Sequence, residues 1–420
     1  MTEIAVDAGT DAEPVLFNPF EPGFFDWPYD EYAKVREADP VHLSNLGIWM
    51  LFSYEDCFAL LRDPHLSVED EKARAINPEG MRDRFADVRD EYPDLDLGPP
   101  SRGILQIDPP DHTRIRKLMS SVFTPKRVAE LRPKVQQLVD DALDAVAPTG
   151  EMDVIADLAF PLPFTVISEM LGMPDADRDQ LRAWSHTVVK TLDPIISVEE
   201  AHEAIVASRH LDAHLHEAIE WKRANPADDL LSALIHAEED GESLTTEELR
   251  DQVSLLFVAG HETTVNLIGN GTLALLRNRD QLELLRDDPG LDAGAVEELL
   301  RYDSPVQSSR RIVLEDHRVR DVVIPAGTFV VTSIGSANHD PAAFGPDAES
   351  LDLRRANASR HLSFGSGVHH CLGAALARLE AQVALGTLVR RFGDLTLATD
   401  APAWNNRIVL RGLDSLPVTF

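Results

Sequence analysis

Only two of the 420 residues are cysteine, Cys57 and Cys371, and they stand far apart, so no disulfide framework holds this chain. Basic residues are scarce as well: 39 Lys and Arg face 72 Asp and Glu, for a formal net charge of −33. That balance argues against nucleic acid and anionic membranes as partners, because a phosphate surface calls for a basic face. Long apolar runs are missing, and nothing approaches the ~18 consecutive apolar residues of a spanning helix. The first residues, Met1 to Asp7, lack the basic stretch and apolar run of a secretion signal. A soluble, cytoplasmic protein is expected. Internal repeats, low-complexity tracts and a linker between two cores are absent too. With 44% hydrophobic residues, the chain has ample material for one large core.

Taken in order, residues 1–14 read as a small, acidic, disordered tail, and residues 15–420 as one domain. Tyr29 to Glu37 and Tyr54 to Arg62 read as helices, each stopped by Asp-Pro, with a hairpin over Val41 to Ser53 between them. Ser67 to Gly103 has no sustained period beyond a possible helix over Gly80 to Val88, and a loop of that length is commonly functional or disordered. Helices follow from Asp108-Pro109-Pro110-Asp111 to Val122 and from Thr124-Pro125 to Val146. Phe160 to Leu171 is a third, and Asp175 to Asn225 holds two amphipathic helices broken near Asp193-Pro194. His202, His210, His214 and His216 lie on the second of these and read as a solvated face rather than a metal site. Leu244-Thr245-Thr246-Glu247-Glu248 is a capping box. It opens a helix predicted to reach Arg277, on the order of 45 Å long and therefore central. Asp292 to Tyr302 is helical, Arg310 to Thr332 is β-rich, and Ser336 to Ser363 is irregular. A helix to Arg391 and short strands over Leu395–Ala398, Ile408–Arg411 and Leu416–Phe420 close the chain. The fold class is mainly α with small β-sheets.

One stretch carries the most chemistry: Phe364-Gly365-Ser366-Gly367-Val368-His369-His370-Cys371-Leu372-Gly373. Glycines on both sides let the backbone take positive φ and let a large group approach. A strong helix former begins at Ala374, so Cys371 sits at a helix N-terminus that favours a thiolate. Such a thiolate suits a soft metal or a nucleophile; a buried core thiol is the plainer alternative.

The second constellation is Ala259-Gly260-His261-Glu262-Thr263-Thr264 inside the long helix. A glycine and hydroxyl residues weaken the hydrogen-bond ladder there, and a local bulge is expected. Glu262 and Thr263 together form a proton relay; a Thr-rich helix kink with no chemistry is the plainer alternative. The zinc pattern His-Glu-x-x-His fails, since Val265 stands where the second histidine belongs. A third motif, Glu298-Leu299-Leu300-Arg301, places an acid and a base on one helix face.

Phe-Gly-x-Gly-x-His-x-Cys-x-Gly resembles the haem-binding loop of the cytochromes P450, and Ala-Gly-x-Glu-Thr-Thr and Glu-x-x-Arg resemble two other motifs of that family. The resemblance runs from about Pro28 to Phe420. It implies the P450 fold, with haem b between the long central helix and the cysteine loop. By the same resemblance Cys371 is the metal ligand, and Thr263 and Glu262 supply protons for dioxygen activation. Ala259, Gly260, Phe364, Gly365 and Gly373 line the cofactor. His112, Arg116, Arg311 and His369 bind its propionates, with Arg310 the alternative to Arg311. Glu298 and Arg301 are structural. Leu256, Val258, Val306, Gln307, Val409 and Leu410 line an apolar substrate pocket, roofed by Ser67–Gly103 and by helices within Phe160–Asn225.

The implied reaction is insertion of one oxygen atom of O2 into an apolar substrate: hydroxylation or epoxidation, tailoring a bacterial macrolide, polyketide or terpenoid. A steroid or fatty-acid hydroxylase, a haem-thiolate peroxygenase, a haem sensor and a thiol hydrolase using Cys371 with His369 or His370 are the alternatives. No flavin or nicotinamide fingerprint is present, so electrons from NAD(P)H are expected through a ferredoxin reductase and a ferredoxin. The ferredoxin is expected to dock on Arg114, Lys117 and Arg378. A monomer is expected.

Overall fold

Both halves of the capping box form at Thr245: its hydroxyl accepts from the Glu248 N–H, and the Glu248 carboxylate accepts from the Thr245 N–H. From this start a 32-residue helix, Thr246–Arg277, runs unbroken to its C-cap Asn278, about 48 Å at 1.5 Å per residue. No bulge interrupts it at Gly260. The Thr263 hydroxyl instead bonds back to the Ala259 carbonyl at 3.1 Å without opening the α-helical ladder. Two of its glycines allow close packing. A Cβ at Gly269 would lie 2.6 Å from Ile155 and one at Gly271 3.3 Å from Leu385. The central helix thus beds against the π-helical turn Ile155–Ala159 and the helix Ala374–Arg391.

The computed structural model describes residues 15–78, 85–98, 101–173, 178–239 and 241–420. The acidic tail and most of the helix predicted over Gly80 to Val88 lie outside them. Helices dominate: Tyr29–Ala38, Tyr54–Arg62, Asp111–Val122, Pro161–Met170, Arg178–Val188, Val198–Ala224 and Asp292–Tyr302 fall close to their predicted places. The stretch predicted as one helix from Thr124 to Val146 is two, Pro125–Glu130 and Arg132–Val146, because Pro133 starts a new first turn after Leu131. Within Ser67–Gly103 short helices form at Asp70–Ile76 and Ala86–Glu91. No described helix is long and apolar enough to cross a membrane.

A five-stranded sheet has the order 41–43, 49–51, 329–333, 308–313, 66–67, with the 49–51/329–333 pair parallel. A three-stranded sheet joins 396–397, 417–419 and 151–153, tying the C-terminus to the middle of the chain. The segment predicted as a strand over Ile408–Arg411 is mostly a loop at the tip of the hairpin 403–404/413–415. It makes a single bridge, Val306 to Leu410.

Candidate active site

The cysteine loop is held at both ends. Cys371 N–H donates to the Phe364 carbonyl at 2.9 Å and Gly365 N–H to the Leu362 carbonyl at 2.7 Å. Gly367 has φ 72°, and a Cβ there would stand 2.8 Å from the Leu61 carbonyl oxygen. Only glycine lets the loop lie this close to the helix Tyr54–Arg62. Burial pushes the Cys371 thiol up, opposed by the Gly373 and Ala374 N–H groups at the following helix N-terminus and by the Arg116 and Arg378 guanidinium groups. A positively charged group at the sulfur would tip that balance to thiolate. Phe364 lies under the Arg378 guanidinium, 4.4 Å from ring centroid to carbon.

In and beside this loop is a group of cationic and imidazole side chains with few partners among the described residues. His112 is fully buried, yet neither ring nitrogen has a hydrogen-bond partner among the described residues. The His369 ring lies 4.4 Å from it, centroid to centroid, and its Nδ1 is likewise unpartnered. Burial, with Arg311 and His112 nearby, pushes His369 down to about 4. Arg116 reaches the His370 carbonyl at 2.6 Å. Arg311 is buried with only local partners, the Arg310 carbonyl and the Ser309 hydroxyl, and burial pushes it down to about 10. Arg310 instead pairs with Asp70 at 2.8 Å. The nearby carboxylate, Asp108, is already engaged by Ser67, Lys72 and the Val68 N–H. Buried and half-buried donors whose one neighbouring carboxylate is already engaged suit a ligand bearing two carboxylates. The residues present therefore fit a haem.

Glu298 and Arg301 are completely buried and paired bidentately at 2.7 and 2.8 Å. Arg301 also donates to the carbonyls of Asn338, Ala348 and Ser350, and Arg355 adds a second cation to Glu298 at 3.1 Å. Asn338 carries the tie onward, accepting from the Leu362 N–H and donating to Ser363 just before the cysteine loop. The irregular run 336–363 is thereby shaped by side chains rather than by a backbone ladder.

On the central helix Ala259 is exposed at mid-helix, and Leu256 and Thr263 share its face. Val258 is turned about 100° round the helix from Ala259 and, like Leu256, is partly buried against the main core. Residues 305–307 pair with 409–411, which sets Val306 beside Val409 and Leu410. Gln307 is not a pocket residue: its buried amide donates to the Tyr29 hydroxyl and the Ser304 carbonyl. The amide fills the core behind the sheet, a role a polar residue next to an apolar one does not advertise.

Glu262 is buried, and two residues not foreseen from the sequence hold it. Arg407 donates to its carboxylate at 3.0 Å, and His186 Nδ1 lies at 3.4 Å. Burial raises this carboxyl, but the His186 hydrogen bond and then the nearby His261, His186 and Arg407 groups outweigh burial and hold it at about 2. Neither partner belongs to a motif, and only the fold brings them to Glu262. The preceding residue, His261, spends both ring nitrogens on the Phe257 carbonyl and the Ser185 hydroxyl. Two of the three expected docking cations have acidic partners: Arg114 pairs with Glu248, and Arg378 with Glu297 at 2.6 and 3.0 Å. His210 stacks on Trp184 and His202 on Tyr92.

The family model for cytochrome P450 matches residues 75–288 and 291–407. Cytochrome P450 107B1 of Saccharopolyspora erythraea is 44% identical over 408 residues, covering 95% of this chain and 96% of that protein. Cytochrome P450 monooxygenase PikC of Streptomyces venezuelae is 40% identical over 424 residues, covering 98% and 96%. The solved structure of the Bacillus subtilis bacillaene polyketide synthase cytochrome P450 PksS superposes with a TM-score of 0.85 at 37% identity, covering 96% of this chain and 99% of that one. The chain belongs to the cytochrome P450 family, close to bacterial 107-type members, and is a P450 monooxygenase. The family implies haem as cofactor and separate proteins to deliver electrons.

Proposed function

We propose that this monooxygenase hydroxylates or epoxidises a large apolar substrate of the macrolide or polyketide kind. The supporting observation is two sets of side chains: Leu256, Ala259 and Thr263 share one face of the central helix, and the Val306–Leu410 bridge sets Val306 beside Val409 and Leu410. Together they offer apolar contact with one hydroxyl. Relatives point the same way, being a polyketide-biosynthesis P450, PikC, and a 6-deoxyerythronolide B hydroxylase.

Cys371 would hold the iron, and His112, Arg116, Arg311 and His369 would receive the propionates. Once bound, haem supplies dioxygen activation with electron density from the thiolate. The chain's own part is to position and to protonate. Thr263 donates its hydroxyl hydrogen to the Ala259 carbonyl, so its lone pairs are free to accept a proton donor from the cleft. Glu262, one residue back, is the acid that would resupply it. Electrons would come from NAD(P)H by way of a ferredoxin reductase and a ferredoxin. The ferredoxin would dock on the patch of Arg114, Lys117 and Arg378, where Arg114 and Arg378 would exchange their internal acids for its carboxylates.

The test is a carbon monoxide difference spectrum of the dithionite-reduced protein, followed by spin-state titration. The thiolate-type red-shifted Soret band is expected, with Cys371→Ser abolishing it. A spin shift with 6-deoxyerythronolide B but not with vitamin D3 or myristic acid would support the macrolide reading. The reverse order would replace it with steroid or lipid oxidation.

A further inference from the structure

The face of the central helix that carries Leu256, Ala259 and Thr263 continues one turn toward its start. Gln252 stands four residues before Leu256, so the four residues follow one helical stripe. Ala259 on that stripe is exposed, yet Gln252 is fully buried. What covers it is the loop 101–107, which leads into the helix Asp111–Val122 bearing His112 and Arg116.

The cover is fastened to the Gln252 amide. Ile104 N–H donates to Gln252 Oε1 at 2.9 Å, and Gln252 Nε2 donates to the Arg102 carbonyl at 3.0 Å. One side chain thus offers an acceptor and a donor to the residues on either side of Gly103, as a neighbouring strand would. Beside it the Asp251 carboxylate accepts from the Arg102 N–H at 2.8 Å and is itself held by Arg250 at 2.9 Å. Gly103 lies close on the helix: a Cβ there would stand 3.1 Å from the Leu255 side chain and 2.8 Å from Gln106 Oε1. Among the described residues the loop makes one backbone–backbone bond, from Gln106 N–H to the Gly103 carbonyl at 2.8 Å. Its place on the helix is therefore set by side chains and not by a ladder. Leu105, at the crest of the turn, is 49% exposed between the buried Ile104 and Ile107. The Ile104 backbone also holds a hydrogen bond to the His369 side chain. The loop touches the stripe of the central helix on one side and the cysteine loop on the other.

We infer that Gln252 is a positioning residue for the substrate pocket: it pins residues 102–104 as the end wall of the stripe Leu256, Ala259 and Thr263. The wall limits how far an apolar chain or ring extends toward the start of the central helix. Gln252 touches no reacting atom and acts through the loop alone. The inference rests on the monooxygenase reading above and deepens it.

The test has one arm without ligand and one with molecular rulers. Gln252→Met keeps the length and bulk of the side chain and removes both bonds. Hydrogen-exchange mass spectrometry is expected to show residues 101–107 exchanging about tenfold faster in the variant, the scale of one or two lost hydrogen bonds. The strand 417–419 is expected to exchange as in the wild type. Unchanged exchange at 101–107, or faster exchange throughout the chain, would remove the pin. The rulers are 1-alkylimidazoles, which bind ferric haem through nitrogen and differ only in their apolar tail. In Gln252→Met, 1-methylimidazole is expected to bind within about twofold of wild type and 1-octylimidazole at least about fourfold more weakly, the worth of one buried CH2. Gly103→Ala pushes the same loop off Leu255 without altering the amide, and is expected to repeat that length-dependent loss. Equal effects on the short and long tails, or none, would overturn the end wall. A full carbon monoxide band in both variants keeps the outcome separate from the haem assignment, and the exchange arm needs no haem chemistry at all.

Discussion

Arg407 reaches back 145 positions along the chain to hold the Glu262 carboxylate at 3.0 Å. The bond joins the C-terminal loop to the middle of the central helix, and both partners are buried. Each charge is tolerable only because the other is there.

Arg407→Leu is accordingly expected to cost about 3–5 kcal/mol at pH 7, the usual toll of stranding a buried charge. In the wild type the Glu262 carboxyl sits at about 2, below its ordinary 4.5. Its stabilising contribution is complete above about pH 4.5 and is lost as the pH falls through about 2. In Arg407→Leu, burial is left less opposed and the carboxyl rises, so the variant recovers part of its loss by taking up a proton in mild acid. Urea unfolding of both proteins at pH 7 and pH 5 measures this; an equal deficit at both values would contradict it.

Arg301 organises three carbonyls and one carboxylate with a single planar fork. Arg301→Lys keeps the charge but cannot reproduce that geometry. We expect purified Arg301→Lys to carry less than about half the wild-type haem and to unfold about 3 kcal/mol earlier, a loss in the range of a broken buried pair. Haem per polypeptide and the denaturation midpoint decide the matter. Full haem loading with an unchanged midpoint would show that the run 336–363 is shaped by something else.

Glu380 is fully buried in the helix Ala374–Arg391, and neither carboxylate oxygen has a partner among the described residues. Burial pushes this carboxyl well above 4.5. Above its ordinary value the unfolded chain gives up a proton that the folded protein keeps, so stability declines as pH rises, by up to about 1.4 kcal/mol per unit. Glu380→Met is expected to be more stable than wild type at pH 7, with a gain that grows from pH 5 to pH 7. A gain independent of pH would mean that the carboxyl is already ionised in the folded state.

Much of this was legible because it is local. The capping box at Thr245, the Asp-Pro stops after the first two helices, and the glycines around Cys371 act within a few residues of themselves. Glu298 and Arg301 were readable as a pair for the same reason, being one turn apart. What escaped reading depends on distant segments meeting. Gln307 has a pocket residue's position and a core residue's partners, because Tyr29 arrives from the far end of the sequence. Ile408 to Arg411 has a strand's composition, yet Asp193 takes the N–H groups of Ile408 and Val409, and most of the segment remains loop. The bulge expected at Gly260 is absent since Thr263 can bond back within a regular helix. His186 and Arg407 carry no motif, so a sequence offers no reason to set them beside Glu262.

The strand Pro417–Thr419 pairs with Glu151–Asp153, and just before it Arg411 binds Asp303 and the Phe25 and Asp26 carbonyls. Arg411 thereby ties together segments 108, 385 and 386 positions apart. Without the segment from Arg407 to Thr419, Glu262 lacks Arg407, Asp303 lacks Arg411, and the 151–153 strand loses its 417–419 neighbour. A proteolytic cut before Arg407 would therefore leave the cysteine loop in the chain and the Glu262 carboxylate unclamped.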